Sequence, residues 1–428
     1  MVTHVVNSMY SGSTKYPESL ALNDVLQFNP TSTGRSGTIM TWVVPIAGKY
    51  KIEAMGASGG KSTSTSNTSL GGRGVIVTGT IALKQGDIVS ILVGQEGGGY
   101  SSGGGGGGGS FVVKGNISSG SPLIIGGGGG GGSSSSSSTS YGRDGSTGTS
   151  GSSSNGNSSP SGGSNGGGGY SVPASSYRGG SGGGFYGDGQ TVAYGSGSSV
   201  VSWETANGSN SYAQGGRSFL NGGTGGWATS SAKGADGGFG GGGGNGYHPG
   251  GGGGGYSGGA AGYTDGYGGG GGGSYVSGTN TSTIFPGTRG HGLVTIQLVQ
   301  LDSLPPTVPA NLKVTPSANS VYMTGETITV SWDASTDPEG DAITYDVDLY
   351  NGSAWIPVAT KITDLSTEYV LPNGLNIATA KIRVRAVDNK TAASAYQESP
   401  VFAVRKQLLL IQDGDSMKTY SNGVWTSI

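Results

Sequence analysis

Glycine fills Gly103–Gly109 without a break, and does so again at Gly126–Gly132, Gly240–Gly244, Gly250–Gly255 and Gly268–Gly273. Such runs exclude most folds. They have no side chains to bury, and fixing glycine costs more backbone entropy than any other residue, on a general scale of about 1–2 kcal/mol per residue. A flexible linker would account for the composition, but these runs lead into β-patterned segments on both sides. Tyrosines also punctuate them at Tyr247, Tyr256, Tyr263 and Tyr267, and a linker gains nothing from such rings. If ordered, the runs must draw on backbone hydrogen bonds and close packing. The extended three-fold helix of polyproline II type turns its N–H and C=O groups outward in three directions. Without Cβ atoms, neighbours can approach to roughly strand spacing, ~5 Å, with Cα–H···O contacts added. The expectation is a slab of polyglycine II helices, a seven-glycine run spanning roughly 20 Å. Residues Ser133 to Ser164, by contrast, read as a flexible Gly/Ser linker.

Around the runs the pattern is β. GTIMTWVVPIAGKYKIEA (Gly37 to Ala54) alternates apolar and polar residues on both sides of Pro45–Gly48, which predicts a hairpin. GVIVTGTIALKQGDIVSILVG (Gly74 to Gly94) places two β-branched runs about the turn Lys84-Gln85-Gly86-Asp87. Short strands are expected at Ser110–Lys114, Pro122–Ile125 and Ser274–Ser277, with a closing strand at Gly292–Val299. Helix signals are nearly absent.

Taken together, GASGG (Gly56–Gly60), GGRG (Gly71–Gly74), LKQGDIVSILVGQEG (Leu83–Gly97), GGGGGGGSFVVKG (Gly103–Gly115), PLIIGGGGGGG (Pro122–Gly132) and GHGLVTI (Gly290–Ile296) resemble a known domain. It is the extracellular glycine-rich domain of anaplastic lymphoma kinase and leukocyte tyrosine kinase. Order and approximate spacing match over residues 37–299. The resemblance implies a jelly-roll-like β-sandwich, related to tumour necrosis factor, with inserted polyglycine II helices. This chain departs from that family in having no cysteine and no transmembrane or kinase segment, so the resemblance bears on fold and not on receptor signalling.

After the proline-rich junction LPPTVP (Leu304–Pro309), ETITVSWD, AITYDVDLY and KIRVRAVD alternate cleanly. About seven short strands in roughly one hundred residues indicate an immunoglobulin-like sandwich. PPTVPANLKV, Trp332 and KIRVRAVD resemble a fibronectin type III domain. The tail from Gln407 reads as two or three small strands about Asp413-Gly414 and Asn422-Gly423. It resembles terminal segments of tail proteins from phages of Gram-positive bacteria. The expected organisation is an N-terminal segment (1–36), a glycine-rich domain (37–300), a fibronectin type III-like domain (305–404) and a short β tail (405–428).

The chemistry is sparse. Lys and Arg total 22 against 24 Asp and Glu, with no basic run, which argues against nucleic acid as a partner. GASGGKST places three residues between Gly56 and Gly60 where a phosphate loop needs four. His4, His248 and His291 lie in no metal-ligand spacing. No catalytic constellation is visible, so the chain reads as non-enzymatic. Asp333, Asp337, Glu339 and Asp341 crowd hard oxygen ligands into one turn, as calcium prefers, although a solvated turn shaped by Pro338 and Gly340 explains them as well. Trp203, Trp227, Tyr247, Tyr256, Tyr263 and Tyr267 are the candidate ligand-binding set, since aromatic faces offer apolar area with a polar edge. Rim packing around the slab is the rival explanation for each ring.

The N-terminal residues have no basic and apolar signal regions, and no stretch approaches a membrane span. The functional expectation is a virion tail-tip or tail-fibre protein. It would contact other tail proteins and bind a host-surface glycan or protein, as a homotrimer and without membrane insertion. The alternative is a bacterial extracellular surface or filament-forming protein.

Overall fold

The computed structural model describes residues 2–6, 20–64, 68–135, 137–156, 160–172, 178–193, 200–201, 203, 212–229, 235–315, 321–406, 409–413, 416–421 and 424–427. The chain is all-β and divides into two units, Met1–Leu301 and Asp302–Ile428. Among the described residues no helix is long and apolar enough to cross a membrane.

The first unit is a jelly-roll-like sandwich. One sheet runs Thr3–Val6, Val25–Phe28, Leu293–Leu301, Gly48–Met55, Ile76–Leu83 and Thr279–Ile284 in spatial order. The other runs Tyr275–Val276, Ser121–Gly126, Ser110–Lys114, Ile88–Leu92 and Met40–Val43. Leu26, Phe28, Trp42, Tyr50, Ile52, Val77, Val89, Ile91, Val112, Ile124, Val294 and Ile296 are buried in the core between them. The first thirty-six residues supply two of the strands, with Thr3–Val6 paired parallel to Val25–Phe28.

The expected hairpin about Pro45–Gly48 is not one. Met40–Val43 pairs with Ile88–Leu92 in one sheet, while Gly48–Met55 pairs with Ile76–Leu83 in the other. Both turns carry the chain from sheet to sheet, and they lie side by side, with Val44 N–H bonded to Asp87 O at 2.9 Å and Gly86 N–H to Val44 O at 2.9 Å. Alternation records which face is buried, and a corner between sheets leaves the same record as a hairpin. The inner strands of the second sheet are buried on both faces, which explains why SFVVK and PLII do not alternate. Ile91, Val112 and Ile124 face the sandwich core. Leu92, Phe111, Val113 and Ile125 face outward against Phe185, Phe219 and Phe239.

From this aromatic layer the glycine runs extend as the expected slab. The amides of Gly104 and Gly107 donate to the carbonyls of Gly132 and Gly129, both at 2.8 Å. Those of Gly105 and Gly108 donate to Gly98 and Gln95, at 2.9 and 3.0 Å, and those of Gly106 and Gly109 to Gly243 and Gly240, at 2.8 and 2.9 Å. Successive residues thus address three neighbours in rotation, the bonding pattern of a three-fold helix. Gly250–Gly255 does the same toward residues 267–270, 104–107 and 180–183. There is no space for side chains in this lattice. A Cβ at Gly106 would sit on the Gly252 carbonyl, and one at Gly253 on the Gly128 carbonyl.

The linker reading of Ser133–Ser164 is corrected. Arg143 N–H bonds to Gly269 O at 2.9 Å, Ser146 to Gly272 and Ser152 to Gly271, both at 2.8 Å, and Gly163 to Gly258 at 2.8 Å. Ser140 and Ser154 are fully buried. Glycine recurs at Gly142, Gly145, Gly148 and Gly151, one per three-fold turn. Gly142, Gly145 and Gly151 each put the missing Cβ against a neighbouring backbone, while at Gly148 it would meet only the Ser146 hydroxyl, at 3.8 Å. A rim helix needs glycine only on the side that touches other helices, so its other positions are free to be polar.

The second unit is a fibronectin type III-like sandwich. Lys313–Thr315, Thr327–Ser331 and Ser366–Val370 form one sheet. Val321–Met323, Phe402–Arg405, Ile377–Asp388, Ile343–Tyr350 and Trp355–Ile362 form the other. Trp332, Val347, Leu349, Ile382, Val384 and Ala386 are buried together. On the opposite face Arg383 pairs with Asp348 at 2.8 Å and Arg385 with Asp346 at 3.0 Å. The tail forms three antiparallel strands, Leu409–Asp413, Ser416–Ser421 and Val424–Ser427. Of its expected turn residues, Gly414, Asn422 and Gly423 lie outside the described residues.

Candidate functional site

The slab has a root and a far end. At the root, Gly56, Gly94, Ser110, Gly126 and Ser274 adjoin strands of the sandwich. At the far end the chain turns back, and the end register is marked by Gly104 N–H to Gly132 O at 2.8 Å, Gly132 N–H to Gly60 O at 2.9 Å and Gly250 N–H to Tyr267 O at 3.1 Å. The far-end loops carry Tyr247, His248, Tyr263 and Tyr267. Tyr263 and Tyr267 meet edge to face with centroids 5.9 Å apart, and the Arg178 guanidinium lies 4.6 Å from the Tyr263 ring centre. Burial pushes the Arg178 guanidinium below its ordinary pKa, opposed by Tyr263 and Asp265. Tyr247 packs edgewise on His248 at 4.1 Å, and its φ of +86° is left-handed.

Trp203 and Trp227 are joined through Gln214, whose Nε2 donates to Trp203 O at 3.2 Å and whose Oε1 accepts from Trp227 N–H at 3.1 Å. Trp203 Nε1 donates to Gly215 O at 3.1 Å. Arg217 lies 4.0 Å over the Trp203 ring and Arg35 lies 3.9 Å over Trp227. Burial depresses the Arg35 pKa, opposed by Asp236, and burial raises the carboxyl pKa of Asp236. Such cation–π pairs contribute about 0.5–2 kcal/mol each. Gly244 N–H bonds to Gln214 O at 2.9 Å, which places this pair beside the far half of the slab. Trp227 remains 37% exposed.

Tyr256 is separate from the others. Its ring stacks on Tyr275 at 4.8 Å and lies 6.5 Å from Phe185. It therefore belongs to the aromatic layer at the root, where burial raises its phenol pKa. Sequence reasoning passed over Arg35, Arg178 and Arg217, because nothing in their spacing foretells which ring each will cover.

The acidic turn of the second unit is partly assembled. Oxygens of Asp337, Glu339 and Asp341 lie within 4.8 Å of one another. Asp333 stands apart, accepting from Asn311 Nδ2 at 2.6 Å. Asp337 Oδ1 accepts from the Glu339 and Asp341 amides, both at 2.9 Å, as a solvated turn requires. The Lys390 ammonium is 2.7 Å from Asp341 Oδ2, and Asp341 raises its pKa. Three carboxylates supply fewer than the six to eight oxygens calcium takes, so backbone or water oxygens would have to complete a site.

No family model matches the chain. Among solved structures it is similar to a bacterial orthologue of human α-L-iduronidase (16% identity, 29% of this chain and 20% of that one, TM-score 0.18). Others are the glycoside hydrolase domain of Endo-D from Streptococcus pneumoniae R6 (14%, 30% and 23%, 0.19) and the chicken CNTN1 FN1–FN3 domains (10%, 32% and 58%, 0.19). The chain spans less than two thirds of each. The expectation of a non-enzymatic chain is corrected by these matches, two of which are to glycoside-cleaving enzymes, and it is withdrawn. At TM-scores below 0.2 they bring no activity to this chain either.

Proposed function

We propose that the chain is a tail-tip or tail-fibre protein of a virion that binds a glycan or protein on the host surface through the far end of the glycine slab. The observation that carries this reading is the placement of Tyr247, Tyr263 and Tyr267 on loops held by a hydrogen-bonded lattice, with Trp227 exposed beside it. Rings fixed before binding lose little entropy on binding, and aromatic faces suit sugar rings and peptides alike. The fibronectin type III-like unit serves as a spacer, and the three-stranded tail offers edges to other tail proteins. A homotrimer would raise avidity without new contacts.

The test is binding of the purified chain to host cells. Trp227→Ala, Tyr247→Ala and Tyr263→Ala combined should reduce binding at least tenfold while the thermal transition persists. Undiminished binding by the folded triple variant would place recognition elsewhere. Mass spectrometry of purified virions should detect the chain, and its confinement to the cell-wall fraction would favour a bacterial surface protein.

A further inference from the structure

Ser134 and His248 are far apart in sequence, yet the slab brings Ser134 Oγ to 2.7 Å from His248 Nδ1. Each is held by its neighbours. Ser133 is fully buried; its amide donates to Ser140 O at 2.7 Å and its Oγ accepts from Gly266 N–H at 3.1 Å. Ser134 therefore starts from a fixed point. His248 sits in a tight turn in which Asn245 Oδ1 accepts from Tyr247 N–H at 2.9 Å and Asn245 Nδ2 donates to Pro249 O at 2.8 Å. That turn forces Tyr247 to φ +86°, a conformation costing an ordinary residue about 1–2 kcal/mol. Strain of this kind persists only where the surroundings impose it, and it concentrates at functional sites. Among the described residues, the amides of Ser134 and Ser135 donate to no protein acceptor. Two successive backbone N–H groups at a nucleophile are the kind of donor a developing oxyanion needs.

We propose that Ser134 and His248 form a nucleophile–base pair that cleaves carboxylic esters, with the Ser134 and Ser135 amides as the oxyanion site. With the ring as its Nε2–H tautomer, Nδ1 accepts the hydroxyl proton as Oγ bonds to the ester carbonyl carbon. The carbonyl oxygen becomes the oxyanion facing the two amides. Collapse breaks the C–O bond to the alcohol, which leaves with the proton held by His248. Water then attacks the acyl-serine and gives a proton to Nδ1, and Oγ departs with that proton as the acid is released. No oxidant, reductant or further reactant is needed. The Tyr247 ring, packed on His248 at 4.1 Å, favours an ester carried on a sugar or aromatic alcohol. The site stands whether or not the chain binds a host surface.

The full chain is treated with a fluorophosphonate, and in parallel with p-nitrophenyl acetate. The expected result is one phosphonylated peptide, containing Ser134, and ester turnover that falls to the buffer rate in Ser134→Ala. His248→Gln should slow both reactions about 100-fold or more, the scale of a lost general base. Ser119→Ala, in a turn of the sandwich, should leave both unchanged. Thermal midpoints of all variants show whether the fold survives. Absence of labelling on the folded parent, or labelling spread over several serines and unchanged in His248→Gln, would overturn the proposal.

Discussion

Gly253→Ala tests the slab most directly. The Gly253 amide donates to Gly270 O at 2.9 Å, and the added Cβ would fall on the Gly128 carbonyl. The helix of Gly126–Gly132 would have to move away from that of Gly250–Gly255. Two bonds join them, Gly128 N–H to Gly254 O at 2.7 Å and Gly131 N–H to Gly251 O at 2.8 Å. Losing both costs about 2 kcal/mol at roughly 1 kcal/mol each, and overpacking adds about 1–3 kcal/mol. The expected destabilisation of the first unit is therefore about 3–5 kcal/mol. Gly148→Ala is the matched control. Its Cβ would meet only the Ser146 hydroxyl, at 3.8 Å, so the change should be neutral or stabilise by up to about 1 kcal/mol through the unfolded chain. Urea unfolding followed by tryptophan fluorescence measures both, and hydrogen exchange reports whether the amides of Gly250–Gly255 lose protection. A Gly253→Ala chain within about 0.5 kcal/mol of the parent, with protection intact, would refute the claim that absent side chains hold the lattice together.

Acid should loosen the N-terminal strand first. The Asp24 carboxylate accepts from the amides of Val2 and Ala21 at 2.9 and 3.1 Å, and these bonds, with His4 nearby, hold its pKa below the ordinary carboxylate value. A depressed folded pKa means the stabilisation is complete above the ordinary value and lost as pH falls through the folded one. Amides of Thr3–Val6 should exchange faster there, and in Asp24→Asn at neutral pH; equal rates would show that Asp24 does not pin the strand. In the second unit, Lys390→Met leaves Asp337, Glu339 and Asp341 facing one another. At low ionic strength it should lower the thermal midpoint of the second unit, a loss recovered by millimolar calcium. A variant as stable as the parent, or indifferent to calcium, would show that the turn is merely solvated.

Several strands were legible because burial leaves a period in the sequence. Ser110–Lys114 appears where SFVVK placed it, and the face bearing Ile382, Val384 and Ala386 is the buried one. The ordering of the glycine runs was legible by exclusion, since only a backbone lattice can stabilise them. A rim-helix signal was present but overlooked in Gly142, Gly145, Gly148 and Gly151, whose period of three is the period of the helix they form. What the sequence could not carry was which strand neighbours which. The two corners at Pro45 and Gly86 look like hairpins because alternation is the same whether a strand turns back on its own sheet or crosses to the other. Nor could it pair Arg35 with Trp227, or Ser134 with His248. Those meetings depend on the register of helices that have no side chains to specify it. In this protein the sequence determines where the chain must be bare. The tertiary structure decides what the bare lattice brings together at its far end, because hydrogen bonds between glycines set the register and the side chains follow it.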